Sequence, residues 1–305
     1  MFAPVDPLTA LLRSFEITDA FVSRATLSAP WAVEAGGPGR ALLYVVRDGH
    51  LWIAADGAAV RVGAGDVALV LGDHVFGDAP GRAAVSYAGL PYDDSGPLRT
   101  LDWGGGGARV EVIVGVLRVP RVVTSPLVRR LPPVVRASGR TPGVRAVVAA
   151  IEGEAAAPGP GTRAVLQHLY SALAVQVLRR YVADAGRQAP GWIAGLLDPQ
   201  VGPALSAVVA APERAWTVAG LAREAALSRA AFARRFQAVV GTSPGAALTE
   251  WRLHEAAGDL ARTRRPLADV AERAGYGSAS AFSRAFSRQT GQTPGAYRAA
   301  TIVAE

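Results

Sequence analysis

A pattern of residues occurs twice in the last third of the chain and restricts the fold more than any other feature of the sequence. Its members return 50 positions later: Phe232, Phe236, Gly241, Pro244 and Gly245 recur as Phe282, Phe286, Gly291, Pro294 and Gly295. Ahead of them, Leu221-Ala222 returns as Val270-Ala271 after 49 positions, so the second turn holds one more residue. A helix, a tight turn and a second helix account for each copy, which predicts two consecutive helix-turn-helix units.

Local signals support this prediction. Ser228 is placed to cap the second helix of the first unit, and Gly275 or Gly277 supplies the turn of the second unit. Between the units a helix is predicted from about Gly245 to Arg264. Its twenty residues at about 1.5 Å each span roughly 30 Å. One turn of DNA measures roughly 34–36 Å, so this spacing allows both second helices to enter successive major grooves.

The second helix of each unit has a small or polar outward face. The two phenylalanines of a copy are four residues apart, so they bury one face of the helix. At 100° per residue the opposite face carries Arg234 or Arg284 at equivalent positions, and arginine can bond a guanine edge bidentately. The predicted DNA-binding residues are Ser228, Arg229, Ala230, Ala233, Arg234 and Gln237 in the first unit, and Ser280, Ser283, Arg284 and Ser287 in the second. Arg229 and Arg235 lie off this face, where we expect them to contact phosphate or solvent rather than bases.

Positive charge is concentrated in the same region. All 32 basic residues are arginine, and the net charge is +7. Residues 212–298 hold 13 arginines and 7 acidic residues, whereas residues 1–211 hold 19 and 17. A basic patch of this kind attracts a phosphate backbone, because each neutralised phosphate releases counterions. We therefore expect double-stranded DNA, a promoter operator, as the partner.

The pattern over residues 198–298 resembles the AraC/XylS family of bacterial transcription regulators. The motifs that carry the resemblance are Trp216-Thr217, Gly275-Tyr276, Phe282-Ser-Arg284-Ala-Phe286, Gly291-Gln-Thr-Pro294 and Tyr297-Arg298. The resemblance implies that both recognition helices contact DNA and that the protein contacts RNA polymerase. Ala230 and Ala233 stand where family members often carry larger contact residues, which implies that the first unit contacts few bases.

The first half of the chain has the pattern of short strands. Strands are predicted at 41–47, 51–55, 60–62, 67–71, 84–87 and 110–117, with Gly and Asp in the turns between them, and a short amphipathic helix precedes them over 1–20. Many short strands indicate a small barrel or jelly roll. The segments Ala29-Pro30-Trp31 and Gly65-Asp66-Val67 followed by Gly72-Asp73-His74 resemble the cupin-type sensor domain of some AraC/XylS members.

The metal ligands of an enzymatic cupin are largely missing from this half. Such a cupin holds its metal with a His-x-His pair, a Glu and a later His. Here Tyr44 and a lone His50 stand at the first motif, and only His74 matches the later His. We expect no metal, no cofactor and no catalytic residue, and a barrel that holds an apolar or organic effector or has lost binding.

Helical patterns follow a segment rich in Pro and Arg at 120–143. One helix is predicted at 144–151 and a stronger one at 162–181, where Leu166, Tyr170, Leu173 and Val177 form an apolar stripe. The stripe suits either the core of the chain or a homodimer interface, and both alternatives stay open. The predicted class is α+β multidomain: a cupin-like domain over 1–142, a helical connector over 143–197 and a tandem helix-turn-helix domain over 198–305.

These features predict a sequence-specific transcription regulator that responds to an effector, activates or represses, and is not an enzyme. The chain has no cysteine, and it has neither an apolar run near the roughly 20 residues of a membrane span nor a signal peptide. We therefore expect a cytoplasmic protein with no membrane partner. Two alternatives remain: a metal-dependent cupin enzyme fused to a DNA-binding domain, and an architectural DNA binder without sequence preference.

Overall fold

The structure is a computed structural model that describes residues 20–37, 39–119, 125–126, 131–185, 191–211 and 214–302. It forms two compact units. We call the described residues of 20–119 and 131–183 the barrel unit, and 125–126 with the described residues of 184–302 the helical unit. The predicted helix over 1–20 lies outside the described residues up to its last one, Ala20, which begins a strand.

The barrel unit consists of two facing sheets and two helices. Its strands are β1 (Ala20–Ser28), β2 (Ala32–Ala35), β3 (Arg40–Asp48), β4 (His50–Ala55), β5 (Ala58–Gly63), β6 (Asp66–Leu71), β7 (His74–Gly77), β8 (Val85–Ser86), β9 (Arg99–Gly104), β10 (Arg109–Arg118) and β11 (Val134–Ser138). One sheet has the order β11-β6-β3-β10-β1-β9 and the other β5-β4-β7-β2-β8. Neighbouring strands run antiparallel except β1 with β9 and β2 with β8.

Both faces of β3, in the middle of the six-stranded sheet, are buried. Leu42 and Tyr44 of β3 face the core between the two sheets, whereas Leu43, on the opposite face of the same strand, is also fully buried. Helices α1 (Pro142–Ala156) and α2 (Thr162–Ala185) belong to this unit. Tyr170 of α2 lies so close over Gly115 of β10 that a Cβ at residue 115 would overlap its ring. The apolar stripe of α2 is therefore part of the core of its own chain.

The helical unit contains the repeat. Its helices are α3 (Trp192–Leu197), α4 (Gly202–Ala210), α5 (Val218–Glu224), α6 (Arg229–Val240), α7 (Pro244–Arg262), α8 (Leu267–Arg273), α9 (Ala279–Thr290) and α10 (Pro294–Ile302). Helices α5 and α6 form the first helix-turn-helix unit, and α8 and α9 form the second. The phenylalanines of the repeat, Phe232, Phe236, Phe282 and Phe286, are fully buried. The predicted fold class, a cupin-like β-rich domain followed by a helical helix-turn-helix domain, is confirmed.

Several predicted elements differ from the structure. The segment 120–143 was expected to be a connection, but Val134–Ser138 pairs with β6 as an edge strand. The strand predicted at 84–87 is confined to Val85–Ser86, and a 3-10 turn follows at Tyr87–Gly89. The division between the two units falls near residue 184, whereas the sequence suggested divisions at 142/143 and 197/198. The three-part division stays a prediction.

Candidate nucleic-acid interface

The two helix-turn-helix units have the same backbone hydrogen bonds. In the first turn the N–H of Leu227 donates to the oxygen of Ala222, and in the second the N–H of Tyr276 donates to the oxygen of Ala271, both at 2.9 Å. Gly275 has a left-handed backbone with φ +80°, so it supplies the second turn as one of the two predicted glycines.

Serine caps both second helices. The hydroxyl of Ser228 accepts a hydrogen bond from the N–H of Ala231, and that of Ser278 accepts one from Ala281, each at 3.2 Å. The predicted capping role of Ser228 is therefore confirmed. Capping satisfies N–H groups that the first turn of a helix leaves unpaired, so the start of each helix is fixed where base contacts are expected.

The outward faces of α6 and α9 lie where the sequence places them. Ala230, Arg234 and Gln237 are exposed on α6, as are Ser280 and Arg284 on α9, while Ala233, Ser283 and Ser287 are half-buried on the flanks. Neither Arg234 nor Arg284 has a carboxylate within 4 Å among the residues that the structure describes. As far as the described residues show, their guanidinium groups can bond an external acceptor.

The serine hydroxyls of α9 differ in whether they already donate a hydrogen bond within the helix. Ser283 donates to the backbone oxygen of Ala279 at 2.8 Å, so its hydrogen is already used. The hydroxyl of Ser280 lies 3.1 Å from that of Ser278 at the helix start and is exposed. Ser280 is therefore the serine of this face that is best placed to meet a base or phosphate.

Arg235 lies off the outward face and is partly exposed to solvent, as expected, but it also has a partner within the chain. Its Nη2 lies 2.5 Å from Oδ2 of Asp198, and this carboxylate is buried. Arg229 is also exposed, at the start of α6, and has no carboxylate within 4 Å among the described residues. Asp198, a partner of α6, is not among the residues that the sequence pattern predicts for this site. The local signal was Asp198-Pro199 ahead of a helix, because a carboxylate there can accept from the N–H groups of the helix start.

In the barrel unit His74 is engaged on both ring nitrogens. Its Nδ1 lies 2.9 Å from the backbone oxygen of Gly72, and its Nε2 lies 2.6 Å from the hydroxyl of Tyr44. A carbonyl only accepts, so Nδ1 carries the hydrogen and Tyr44 donates to Nε2. This bond joins β3 of one sheet to β7 of the other. Burial lowers the pKa of His74, although the Gly72 carbonyl and Asp73 act in the opposite direction.

The cavity between the two sheets is small. Its volume is about 20 Å³, and apolar side chains line it together with Ser23, Tyr87 and Tyr92. A single water molecule needs roughly 10–15 Å³. An organic effector would therefore enter only if lining side chains moved. Among the described residues no group of three His, Asp or Glu side chains is arranged to hold a metal ion. None of the described helices has the length and apolarity of a membrane span.

Comparison with known proteins gives matches to both units. A family model described as a cupin matches residues 6–183, and one described as a helix-turn-helix domain matches residues 221–300. AraC-like transcription regulators of Streptomyces lividans and Streptomyces antibioticus are each 33% identical, and the matches cover 96% of this chain and 98% of theirs. The Escherichia coli activator RclR is 35% identical over 51% of this chain and 54% of its own.

Proposed function

This chain belongs to the family of AraC-like transcription regulators with a cupin domain, and we propose that α6 and α9 contact bases in successive major grooves of one operator. DNA binding and transcription regulation follow from the family. The finer assignment concerns which side chains select the sequence.

Arg234 and Arg284 are exposed at equivalent positions, and each lies opposite a pair of buried phenylalanines; this is the main support for the proposal. The same guanidinium is thus presented twice on the same kind of helix. The helix α7 between the units has 19 residues and spans roughly 28 Å at 1.5 Å per residue. This length suits two recognition helices that enter neighbouring major grooves on one side of the duplex.

The outward faces of α6 and α9 differ in the side chains that could contact bases. Around Arg284 the face of α9 also carries Ser280 and Ser287, which can donate and accept hydrogen bonds. Around Arg234 the face of α6 carries Ala230 and Ala233, whose methyl groups can only make apolar contacts, and Gln237. We therefore propose that α9 contributes more base selection than α6.

Base-substitution profiles test this proposal. DNA that the full chain prefers is selected from a random pool, and each base pair is then substituted in turn. Arg284→Ala should lower affinity for the preferred site about 5- to 150-fold and remove the preference at one base pair. Arg234→Ala should do the same at a base pair about one turn away. Arg273→Ala is the matched control, because Arg273, on the first helix of the second unit, pairs with Asp259 of α7. Equal loss on all sequences would make these arginines phosphate contacts and would contradict the proposal.

For the barrel unit we propose a sensor that is not an enzyme. The support is that His74, which matches a cupin metal ligand by position, has both nitrogens in hydrogen bonds within the protein. We propose further that an organic effector, a second copy of the chain and RNA polymerase are partners. The apolar stripe of α2 is buried, so a homodimer would use another surface. Metal analysis of the purified chain tests the sensor assignment, because stoichiometric iron, zinc or manganese would favour an enzyme.

A further inference from the structure

The first recognition helix is held on one side by a segment that precedes the residues matched by the helix-turn-helix model. This segment comprises α3 and α4. The N–H of Gly191 donates to the oxygen of Val239 at 3.2 Å, near the end of α6. Gly195 packs so closely on α6 that a Cβ there would lie 2.8 Å from Cγ2 of Val240. Both contacts hold the C-terminal end of α6, away from its first turn.

A third contact is an ion pair near the middle of α6. Asp198 uses both carboxylate oxygens: Oδ1 accepts from the N–H groups of Gln200 and Val201 at 3.0 and 2.9 Å, and Oδ2 accepts from Arg235 at 2.5 Å. The side chain of Asp198 is 6% exposed and that of Arg235 is 46% exposed. Burial acts to raise the pKa of Asp198, but these hydrogen bonds outweigh it and lower the pKa below its usual value. The carboxylate is therefore charged and fixed.

Because of the position of Arg235 on α6, the ion pair can restrict rotation of this helix about its axis. Arg234 lies opposite Phe232 and Phe236, and Arg235 follows it by 100°, on the flank. Phenylalanine packing alone fixes the inward side, but a helix held only there can still rotate by a few degrees about its axis. A charged contact on the flank opposes this rotation, and with it any change in the direction of Arg234.

The second unit has a different residue at the equivalent position, and this difference supports the interpretation. Residue 285 is equivalent to 235, and there the chain has Ala285, which is 8% exposed and belongs to the core of the second unit. The same flank is thus packed in both units. In α9 an apolar contact closes it, and in α6 the ion pair with the α3–α4 segment does.

We propose that Asp198 is a positioning residue for the first recognition helix: through Arg235 it sets the rotation of α6 and hence the base that Arg234 selects. This inference rests on the proposed function, namely that α6 contacts bases. It extends the DNA-reading structure of the first unit to residues that lie N-terminal to the matched helix-turn-helix domain. In this proposal the side chain of Asp198 acts through Arg235 and does not contact DNA itself.

Asp198→Asn separates the two roles of the carboxylate. The amide oxygen can still accept from Gln200 and Val201, whereas the negative charge facing Arg235 is lost. In the full chain, discrimination at the base pair selected by Arg234 should fall at least about threefold, from about 5- to 150-fold in the unaltered chain. Discrimination at the base pair selected by Arg284 should change less than about twofold. Asp259→Asn is the matched control, because it breaks an ion pair between α7 and α8 that does not involve a recognition helix.

Arg235→Gln removes the same ion pair by changing its more exposed partner. It therefore keeps the test valid if Asp198→Asn does not fold. Each single variant and the double variant should show the same loss at the α6 base pair, since all three lack one interaction. Additive losses, or equal losses at the α6 and α9 base pairs, would overturn the positioning role. Failure of the proposed function looks different: Arg234→Ala would then leave the base profile of the unaltered chain unchanged.

Discussion

Ala226 and Gly275 occupy equivalent positions in the turns of the two helix-turn-helix units, and both have a left-handed backbone, with φ of 52° and 80°. Each donates its N–H to the oxygen three residues earlier, Arg223 and Glu272 respectively. The turn therefore requires this conformation regardless of the residue present. Alanine has a Cβ that crowds the backbone there, and glycine does not.

We expect opposite effects from exchanging these two residues. Gly275→Ala should destabilise the helical unit by about 1–2 kcal/mol, the cost of a left-handed non-glycine residue. Steric overlap adds little, because the new Cβ would lie 3.5 Å from the Arg252 side chain. Ala226→Gly should stabilise the unit by up to about 1 kcal/mol, since relief of strain exceeds the entropy that glycine adds to the unfolded chain.

Urea unfolding of both variants, followed by circular dichroism at helical wavelengths, measures these free energies. Gly277→Ala serves as the control, because Gly277 is exposed and has no left-handed φ. If Ala226→Gly and Gly275→Ala changed stability in the same direction, the two turns would not share this requirement.

The helical unit could be predicted closely because its signals are local. Phenylalanine spacing, a capping serine and glycine in a turn act within one or two turns of helix, so the sequence contains both partners of each interaction. The bounds of α7, Pro244–Arg262, differ by one or two residues from those expected. The outward positions of Arg234 and Arg284 follow from the same periodicity.

Interactions between distant residues could not be predicted in this way. Arg235 appeared available for phosphate, but it pairs with Asp198, 37 positions earlier. Strand β11 stands in a segment rich in Pro and Arg and forms only because β6 offers a free edge. His74 matches a cupin metal ligand by position, but its Nε2 is hydrogen-bonded to the hydroxyl of Tyr44, 30 positions away. In each case the deciding partner lies far away in the sequence.

Burial of His74, whose Nε2 accepts from Tyr44, makes the barrel unit sensitive to acid. Since the pKa of His74 is lowered on folding, the unfolded chain binds a proton at a higher pH than the folded one. The barrel should therefore lose stability as the pH falls from about 6.5, the ordinary pKa of histidine, towards the lower pKa in the folded state. At higher pH His74 is neutral in both states and this dependence vanishes.

Two variants isolate this effect. His74→Gln should lower stability near neutral pH but remove the loss between about pH 6.5 and 5. His50→Gln should retain it, because His50 is exposed on β4. Thermal unfolding of the barrel unit across this pH range provides the measurement. A pH dependence that survives in His74→Gln would assign it to another group.

Ion pairing within the helical unit limits how many arginines can contact phosphate. Among the described residues, Arg214, Arg235 and Arg273 pair with carboxylates. The other ten of the 13 arginines between 212 and 298 have no carboxylate within 4 Å in the part of the chain that the structure describes. With roughly 6–10 phosphate contacts, affinity should fall about 10³–10⁵-fold between about 50 and 200 mM salt.

Single substitutions should separate the two classes of arginine. We expect the exposed Arg264 to contact phosphate, so Arg264→Ala should reduce the slope of log affinity against log salt by about 1. Arg273→Ala should leave the slope unchanged, because its charge is already compensated by Asp259. Titrations of one labelled operator at several salt concentrations give the slopes, and equal slopes for the two variants would refute the distinction.

The helical unit should fold and bind its operator alone, provided that the fragment begins early enough. The sequence suggests a start at Asp198, but the structure adds α3 to the core. The ring of Trp192 stacks on that of Trp251 with centroids 5.2 Å apart, and Trp192, Ile193 and Leu196 are buried. A fragment over 184–305 contains these residues, and a fragment over 198–305 leaves their partners exposed.

We expect the longer fragment to be folded and the shorter one to be less stable by at least about 3–5 kcal/mol, the usual cost of deleting one buried tryptophan. The longer fragment with Trp192→Ala should lie between the two. Thermal unfolding followed by circular dichroism compares the three, and titration of one labelled operator compares the longer fragment with the full chain. If the full chain dimerises, the fragment should bind a tandem site more weakly, because the effective concentration of the second copy is lost. A folded longer fragment with no affinity for the operator would contradict the assignment of DNA binding to this unit, and equal stability of all three fragments would remove α3 from its core.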